Sequence, residues 1–234
     1  IELEPSSVAV YYRRAVSHGK VGNFSAAIDD YTKVIEFNPT HANAYCNRGW
    51  AKGKLNDFKG EIEDCTRAIQ IHPMNALIYC NRAAALYNIG DFASAIEDCG
   101  KAIEINPQDA NPYRTRGMAK RQVGDSDGTI QDYTKAIEIN SNFFDAYCSR
   151  GVVKTDCGDV EGAVRDFTKA IEIDPLCAAV YSLRGDARDI IGDRRGADED
   201  FRKAIELNPI DAAYWCRGDV FERLGIKSED DHSG

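Results

Sequence analysis

One spacing of 34 residues runs through the chain and limits what it can fold into. Six of the seven prolines lie on this spacing, and so do a series of tyrosines and a series of glycines: Pro5, Pro39, Pro73, Pro107, Pro175 and Pro209; Tyr11, Tyr45, Tyr79, Tyr113, Tyr147 and Tyr181; Gly90, Gly124, Gly158 and Gly192. Only Ser141 interrupts the proline series. Three residue types in register at one period indicate a repeat protein, in which one supersecondary unit is stacked many times.

Each unit predicts two helices. Apolar and small residues recur at helical spacing, first at Tyr79, Ala83 and Leu86 and then from Ala95 to Ile103. Gly-Asp pairs separate the two segments: Gly90-Asp91, Gly124-Asp125, Gly158-Asp159 and Gly192-Asp193. Glycine can end the first helix in a left-handed turn, aspartate can cap the second, and the Asn-Pro or Asp-Pro pairs then end the second helix. The sequence therefore predicts an all-α chain.

The repeated sequence Tyr-x-x-Arg-Gly, then Gly-Asp, then Ala-Ile-x-Asp-Tyr-Thr-Lys-Ala-Ile-Glu-Ile-Asn-Pro resembles the tetratricopeptide repeat. The resemblance implies a right-handed superhelical solenoid of helix-turn-helix repeats. It places the end of a preceding repeat at 1–7, six repeats at 8–41, 42–75, 76–109, 110–143, 144–177 and 178–211, a C-terminal solvating helix at 212–225 and a polar tail at 226–234. Because residues 1–7 repeat the form of a second-helix end, we expect the chain to be part of a longer array.

Two departures and one charged lattice stand out within the repeats. Glu61 and Thr129 replace the small apolar residue found at Ala27, Ala95, Ala163 and Ala197, and each is expected to weaken local packing. Arginines recur in the first helices and aspartates in the second: Arg14, Arg48, Arg82, Arg116, Arg150 and Arg184; Asp30, Asp64, Asp98, Asp132, Asp166 and Asp200. We predict that they pair within a repeat or with the next one, at roughly 0.2–1 kcal/mol per exposed pair.

Composition argues against several classes of function. The net charge of −9 and the sequence pI near 5.0 disfavour binding to nucleic acid, and the chain has no apolar run long enough to span a membrane. The eight cysteines form no CxxC pair, so we predict free thiols and a cytoplasmic, reducing location; Cys65 and Cys99 occupy core positions. No nucleophile, phosphate-loop or zinc motif occurs, so we expect no catalysis and no cofactor.

In the tetratricopeptide repeat family, the first helices line a concave groove, and this implies a set of partner-binding residues here. In the first four repeats these residues include cations and no carboxylate: Tyr12, Arg13, Asn47, Trp50, Lys54, Asn81, Tyr87, Arg114, Met118 and Arg121. In the last two repeats they include Asp186 and Asp189 and no cation. The resemblance thus implies a protein-binding scaffold that holds an extended or helical segment of a partner, with the acidic part of that segment toward the early repeats.

Other interpretations stay open at this point. The charges could form an ordinary solvated face, with Trp50 and Tyr87 packed between neighbouring helices. Asn47 and Asn81 match only two rungs of the asparagine ladder known in the family, and the residues of its clamp for chaperone tails are not present. The chain could also be a spacer that forms homo-oligomers through the ends of its array, or a helical-repeat RNA reader, although such readers step by about 35 residues and are usually basic.

Overall fold

The computed structural model describes residues 8–209 and Leu224. In this part of the chain the only regular elements are α-helices: α1 Val8–Lys20, α2 Phe24–Phe37, α3 Ala42–Lys54, α4 Phe58–Ile71, α5 Ala76–Asn88, α6 Phe92–Ile105, α7 Ala110–Gln122, α8 Ser126–Ile139, α9 Phe144–Asp156, α10 Val160–Ile173, α11 Ala178–Ile190 and α12 Arg194–Leu207. The predicted end of a preceding repeat at 1–7, the solvating helix at 212–225 and the tail at 226–234 lie outside the described residues, apart from Leu224.

The predicted signals at the helix ends are confirmed. Gly90, Gly124, Gly158 and Gly192 adopt φ angles between 83° and 87°, a left-handed conformation that strains any residue with a Cβ. Asp91, Asp159 and Asp193 then cap α6, α10 and α12; the carboxylate of Asp91, for example, accepts a hydrogen bond of 3.1 Å from the Ser94 backbone N–H. The second helices end at the Asn or Asp before each proline: Asn38, Asn106, Asp174 and Asn208.

Close packing within the pairs α9–α10 and α11–α12 depends on a glycine in the first helix. A methyl group added at Gly151 would come within 2.6 Å of the Phe167 ring, and one added at Gly185 within 2.7 Å of the Phe201 ring. Both rings are almost completely buried. The matching alanines of the first and third pairs, Ala15 and Ala83, are fully buried as well. The first helix therefore lies against the second at a distance that leaves no room for a larger side chain.

The arginine and aspartate lattices form a ladder of two-pronged ion pairs inside the helix pairs. The guanidinium Nε and Nη2 donate to the two carboxylate oxygens at 2.6–2.9 Å in Arg14–Asp30, Arg48–Asp64, Arg82–Asp98, Arg150–Asp166 and Arg184–Asp200. Pairing within a repeat, one of the two arrangements expected, is the one found. The carboxylates of all five pairs are buried, and the side chain of Arg14 alone among the five arginines is more than half exposed, so the range given for exposed pairs does not apply to the other four.

Threonines extend four of these ion pairs to the preceding helix pair. Nη1 of Arg48 donates to Thr32 on α2 at 3.1 Å, and Arg82, Arg150 and Arg184 bond the threonine in the same place, at 2.9–3.1 Å. Arginine has enough donors for three fixed hydrogen bonds, and its planar group sets their directions. One guanidinium thus links three helices, which fixes how one pair stacks on the next.

The chain divides into two compact units between α7 and α8, at Asp125 and Ser126. The first unit contains α1 to α7 and the second contains α8 to α12. None of the described helices has the length and apolar character needed to cross a membrane.

Candidate functional site

In the first unit, hydrogen bonds join successive first helices at the positions predicted to line the groove. The amide Nδ2 of Asn47 on α3 donates to the Tyr12 hydroxyl on α1 at 3.0 Å, and Nδ2 of Asn81 on α5 donates to Sγ of Cys46 on α3 at 3.4 Å. Nε2 of Gln122 on α7 donates to the Tyr87 hydroxyl on α5 at 3.4 Å. We call the surface formed by α1, α3, α5 and α7 the first-helix surface.

A cavity of about 320 Å³ opens on the first-helix surface. Its lining comes from four helices and consists of Val16, Gly19, Lys20, Tyr31, Asn47, Trp50, Leu77 and Asn81. The structure therefore brings together three of the predicted residues, Asn47, Trp50 and Asn81. Sequence reasoning did not select Leu77, which is 58% exposed, or Tyr31, which reaches the cavity from the second helix α2.

Trp50 both packs against its neighbours and remains accessible. Its ring meets Phe24 edge to face with ring centroids 5.5 Å apart, and it lies over Gly19 of α1. The side chain is nevertheless 38% exposed, and Nζ of Lys54 lies 5.5 Å from the ring centroid. The two interpretations of Trp50 left open by the sequence are thus compatible, because one edge is packed and the remainder can contact a partner.

Tyr12 belongs to the support of this surface. Its ring lies 5.7 Å from that of Tyr31 and 5.0 Å from that of His41, measured between centroids. Burial raises the pKa of Tyr12, while the hydrogen bond from Asn47 acts in the opposite direction; burial also raises the pKa of Tyr31 to about 12. Both phenols therefore stay neutral at physiological pH, and they supply packing and hydrogen bonds without charge.

Most of the predicted cations of the first-helix surface are accessible to solvent. Arg13, Lys20, Lys54 and Arg121 are exposed. Arg114 is half-buried, and its Nη1 lies 3.7 Å from Sδ of Met118, which fixes the two predicted residues of α7 next to each other. Tyr87 packs on Phe92 with ring centroids 5.4 Å apart. Its hydroxyl accepts from the following first helix, so Tyr87 is held on both sides.

The second unit contains the predicted acidic residues. Asp186 and Asp189 lie on α11 and are half-buried. Ser182, one turn earlier on α11, is buried, and Val152 of α9 packs against the core of this unit. The two predicted acidic residues of the second unit are therefore half-buried, whereas four of the predicted cations in the first unit, named above, are exposed.

The cysteines and the possible metal ligands bear on whether this surface could carry out chemistry. Cys65 and Cys99 are fully buried, so their predicted place in the core is confirmed. Burial raises the pKa of Cys46 to about 11 and that of Cys80 to about 12, so these thiols are protonated and unreactive at neutral pH. Within residues 8–209, no cluster of His, Cys, Asp or Glu side chains could hold a metal ion.

Glu61 replaces a small apolar residue of the repeat, and the structure shows what surrounds it. It is 6% exposed and lies against Gly53 of α3, where a methyl group would overlap its carboxyl. Burial raises its pKa from 4.5 to about 7, and the charge of Lys54 opposes this shift. Gly53 has no side chain and so leaves space for the carboxyl of Glu61. The carboxyl fills the space beside Gly53, and the result is a buried acid.

Comparison with known proteins agrees with these features. Two models of the tetratricopeptide repeat match the chain, one at residues 8–41 and 76–109 and the other at 42–73, 144–175 and 178–211. These ranges together cover more than half of the chain, and the protein belongs to the tetratricopeptide repeat family. No curated protein matches it significantly in sequence.

Solved structures confirm the expected fold class, an α-helical solenoid of tetratricopeptide repeats. The chain is similar to MamA, with 26% identity and a TM-score of 0.66 over 74% of this chain and 94% of MamA. It is similar in fold to pilF of Pseudomonas aeruginosa, with 16% identity and a TM-score of 0.76 over 86% and 92% of the two chains. YrrB, described as a TPR protein with an unusual peptide-binding site, has 20% identity and a TM-score of 0.66 over 79% and 96%.

Proposed function

We propose that this protein is a non-catalytic scaffold that binds an acidic segment of a partner protein on the first-helix surface of its first unit. The observation that carries the proposal is the cavity of about 320 Å³ beside the accessible Trp50, with Lys20 in its wall and Lys54 over the tryptophan ring. Binding pockets combine an apolar lining with a few polar groups that fix orientation, and this cavity has both.

A large apolar side chain of the partner fits the cavity chemically. Val16 and Leu77 form apolar walls, and Trp50 offers the accessible part of its ring. Aromatic residues in pockets that exclude water dominate the energy of protein interfaces. We therefore assign the anchoring role to Trp50 and expect a leucine, phenylalanine or tryptophan in the partner segment.

The asparagines can hold the backbone of that segment. Asn81 donates one amide hydrogen to Cys46, and its amide oxygen accepts no hydrogen bond within the described residues. Asn47 is oriented by its hydrogen bond to Tyr12. An amide that is already fixed by the protein loses little conformational entropy when it bonds a partner, which favours binding.

The charged residues of the protein determine which charge the partner segment carries and in which orientation it binds. Lys20 lines the cavity, Lys54 lies over the Trp50 ring, and Arg13 is exposed on α1; Arg114 and Arg121 belong to the last helix of the surface, α7. Complementary charge mainly raises association rates and rejects wrong partners. We extend the proposal to the second unit, where Asp186 and Asp189 would receive a basic part of the same partner.

Family membership and the relatives support a protein-binding role. YrrB, which shares the fold, is described as having a peptide-binding site. The proposal includes a cytoplasmic location, which suits a chain with cysteines at Cys46, Cys80, Cys148 and Cys157 that are unpaired in the described residues.

Selection from a library of random displayed peptides tests the proposal. We expect enrichment of peptides in which aspartate or glutamate flanks one large apolar residue. Lys54→Glu should abolish this enrichment, whereas Lys101→Glu, a matched reversal on the second helix α6, should leave it intact. Enrichment of basic peptides, equal enrichment with both variants, or no enrichment would refute the proposal, and concentration-dependent self-association would then favour the spacer role.

A further inference from the structure

Glu61 occupies a position that four of the other helix pairs fill with alanine and one with Thr129. Ala27, Ala95, Ala163 and Ala197 stand there in four other pairs and are fully buried. A glutamate has no space at such a position unless the facing helix provides it. Gly53 provides it, because the carboxyl of Glu61 lies where a side chain at position 53 would begin.

The carboxyl of Glu61 has an electrostatic partner but makes no hydrogen bond among the described residues. Its side chain is almost completely removed from water, which raises its pKa to about 7, and the partner is Lys54 on α3. Lys54 also lies over Trp50. Glu61, Lys54 and Trp50 therefore form a short series of interacting groups that leads from the buried side of α3 to the cavity.

The thiols of Cys46 and Cys65, which feel the charge of Glu61, keep their protons at neutral pH, and so does the phenol of Tyr31 on α2. Burial raises the pKa of each of them, in the case of Cys46 to about 11 and of Tyr31 to about 12; the group consists of Tyr31, Cys46 and Cys65.

Other charged groups of α3, α4 and α5 are paired with carboxylates other than that of Glu61. They form the ion pairs Arg48–Asp64, Lys52–Asp64 and Arg82–Asp98. Lys54 is thus the charged group most directly coupled to Glu61.

We propose that Glu61 is a proton switch that sets the charge beside Trp50 on the first-helix surface. When Glu61 is ionised, its negative charge offsets that of Lys54. When Glu61 takes up a proton, the charge of Lys54 is no longer offset and can attract a carboxylate of the partner. This inference rests on the proposed function: an acidic segment would bind more tightly on the acid side of neutrality and more weakly on the alkaline side.

Iodide quenching of Trp50 fluorescence tests the switch without a partner. The chain has two tryptophans, so Trp215→Phe leaves Trp50 as the only tryptophan, and excitation at the red edge of the indole band avoids the tyrosines. Iodide is an anion, and its quenching constant reports the charge around the ring. At constant ionic strength we expect the constant to be about twofold higher at ~pH 6 than at ~pH 8. Acrylamide, a neutral quencher, should show no such difference.

Two variants decide whether Glu61 is the responsible group. Glu61→Gln should give the higher iodide constant at both pH values. Glu36→Gln, which removes an exposed glutamate of α2 that pairs with Lys33, should leave the pH dependence unchanged. A pH dependence that survives in Glu61→Gln would assign the effect to another group, such as His18 or His41, and would overturn the inference, as would no pH dependence in the parent.

Because this test needs no peptide, its failure is distinguishable from failure of the proposed function. A protein that selects acidic peptides with equal affinity at both pH values would retain the binding surface and lose the switch. A protein that shows the iodide effect but selects no acidic peptide would retain the switch and lose the proposed function.

Discussion

Replacing Asp166 with asparagine removes the negative charge on which one ion pair of the ladder depends. The carboxylate of Asp166 is buried and accepts two hydrogen bonds from Arg150, at 2.6 and 2.9 Å. It also forms an ion pair with Lys154 at 2.9 Å. The Asp166→Asn variant keeps the shape but leaves the largely buried Arg150 without its counter-charge, and it leaves Lys154 with only the longer ion pair to Asp159 at 4.0 Å. Breaking such a buried pair costs about 3–5 kcal/mol.

Hydrogen exchange of α9 and α10 measures this loss locally, which matters because repeat arrays need not unfold in one step. A loss of about 3 kcal/mol corresponds to a decrease of more than about 100-fold in amide protection. Glu172→Gln is the matched control, since Glu172 pairs with Lys169 in an ion pair in which both side chains are more than half exposed. We expect less than about 0.5 kcal/mol there. Equal, small effects of the two variants would refute the buried-ladder reasoning.

Three further predictions concern packing, capping and pH. Gly185→Ala should destabilise the second unit by about 1–3 kcal/mol in urea unfolding, because the methyl group meets Phe201, whereas Gly100→Ala, with open space around it, should be neutral or stabilising. Asp159→Ala should cost about 1 kcal/mol by removing the cap of α10; no loss would contradict the capping role. Glu61→Gln should stabilise the protein by about 3 kcal/mol at ~pH 8, because the pKa rises from 4.5 unfolded to about 7 folded. Folding therefore favours the protonated form of Glu61, so the parent protein loses stability as the pH rises from ~4.5 to ~7. The difference in stability between Glu61→Gln and the parent should vanish below ~pH 4.5. A difference that does not depend on pH would contradict the direction of this pKa shift.

The local features of the fold could be read from the sequence because neighbouring residues determine them. Gly90 and Asp91 are adjacent, and the turn and the cap they form depend on their own backbone and side-chain chemistry. The ladder was visible as a lattice of Arg and Asp. Its burial and the role of Thr32 were not, because they depend on how closely helices of successive pairs pack.

The candidate site could be predicted only in part, because the sequence does not show which residues of different helices lie next to each other. Trp50, Asn47 and Asn81 were predicted from the family resemblance, and they line the cavity. Tyr31 was missed because it reaches the cavity from a second helix. The acid at Glu61 was recognised only as a departure from alanine, since its space comes from Gly53, which lies on another helix.

Photocrosslinking from Leu77 shows whether the partner segment lies at the cavity of the first unit. Leu77 is 58% exposed in the cavity wall of the first unit, and Leu176, which is 74% exposed between α10 and α11, provides a matched position away from it. A benzophenone amino acid placed at each position would be irradiated with an enriched acidic peptide. We expect crosslinks from position 77, which Trp50→Ala should remove, and few crosslinks from position 176. Equal crosslinking from both positions, or crosslinking only from position 176, would contradict this expectation.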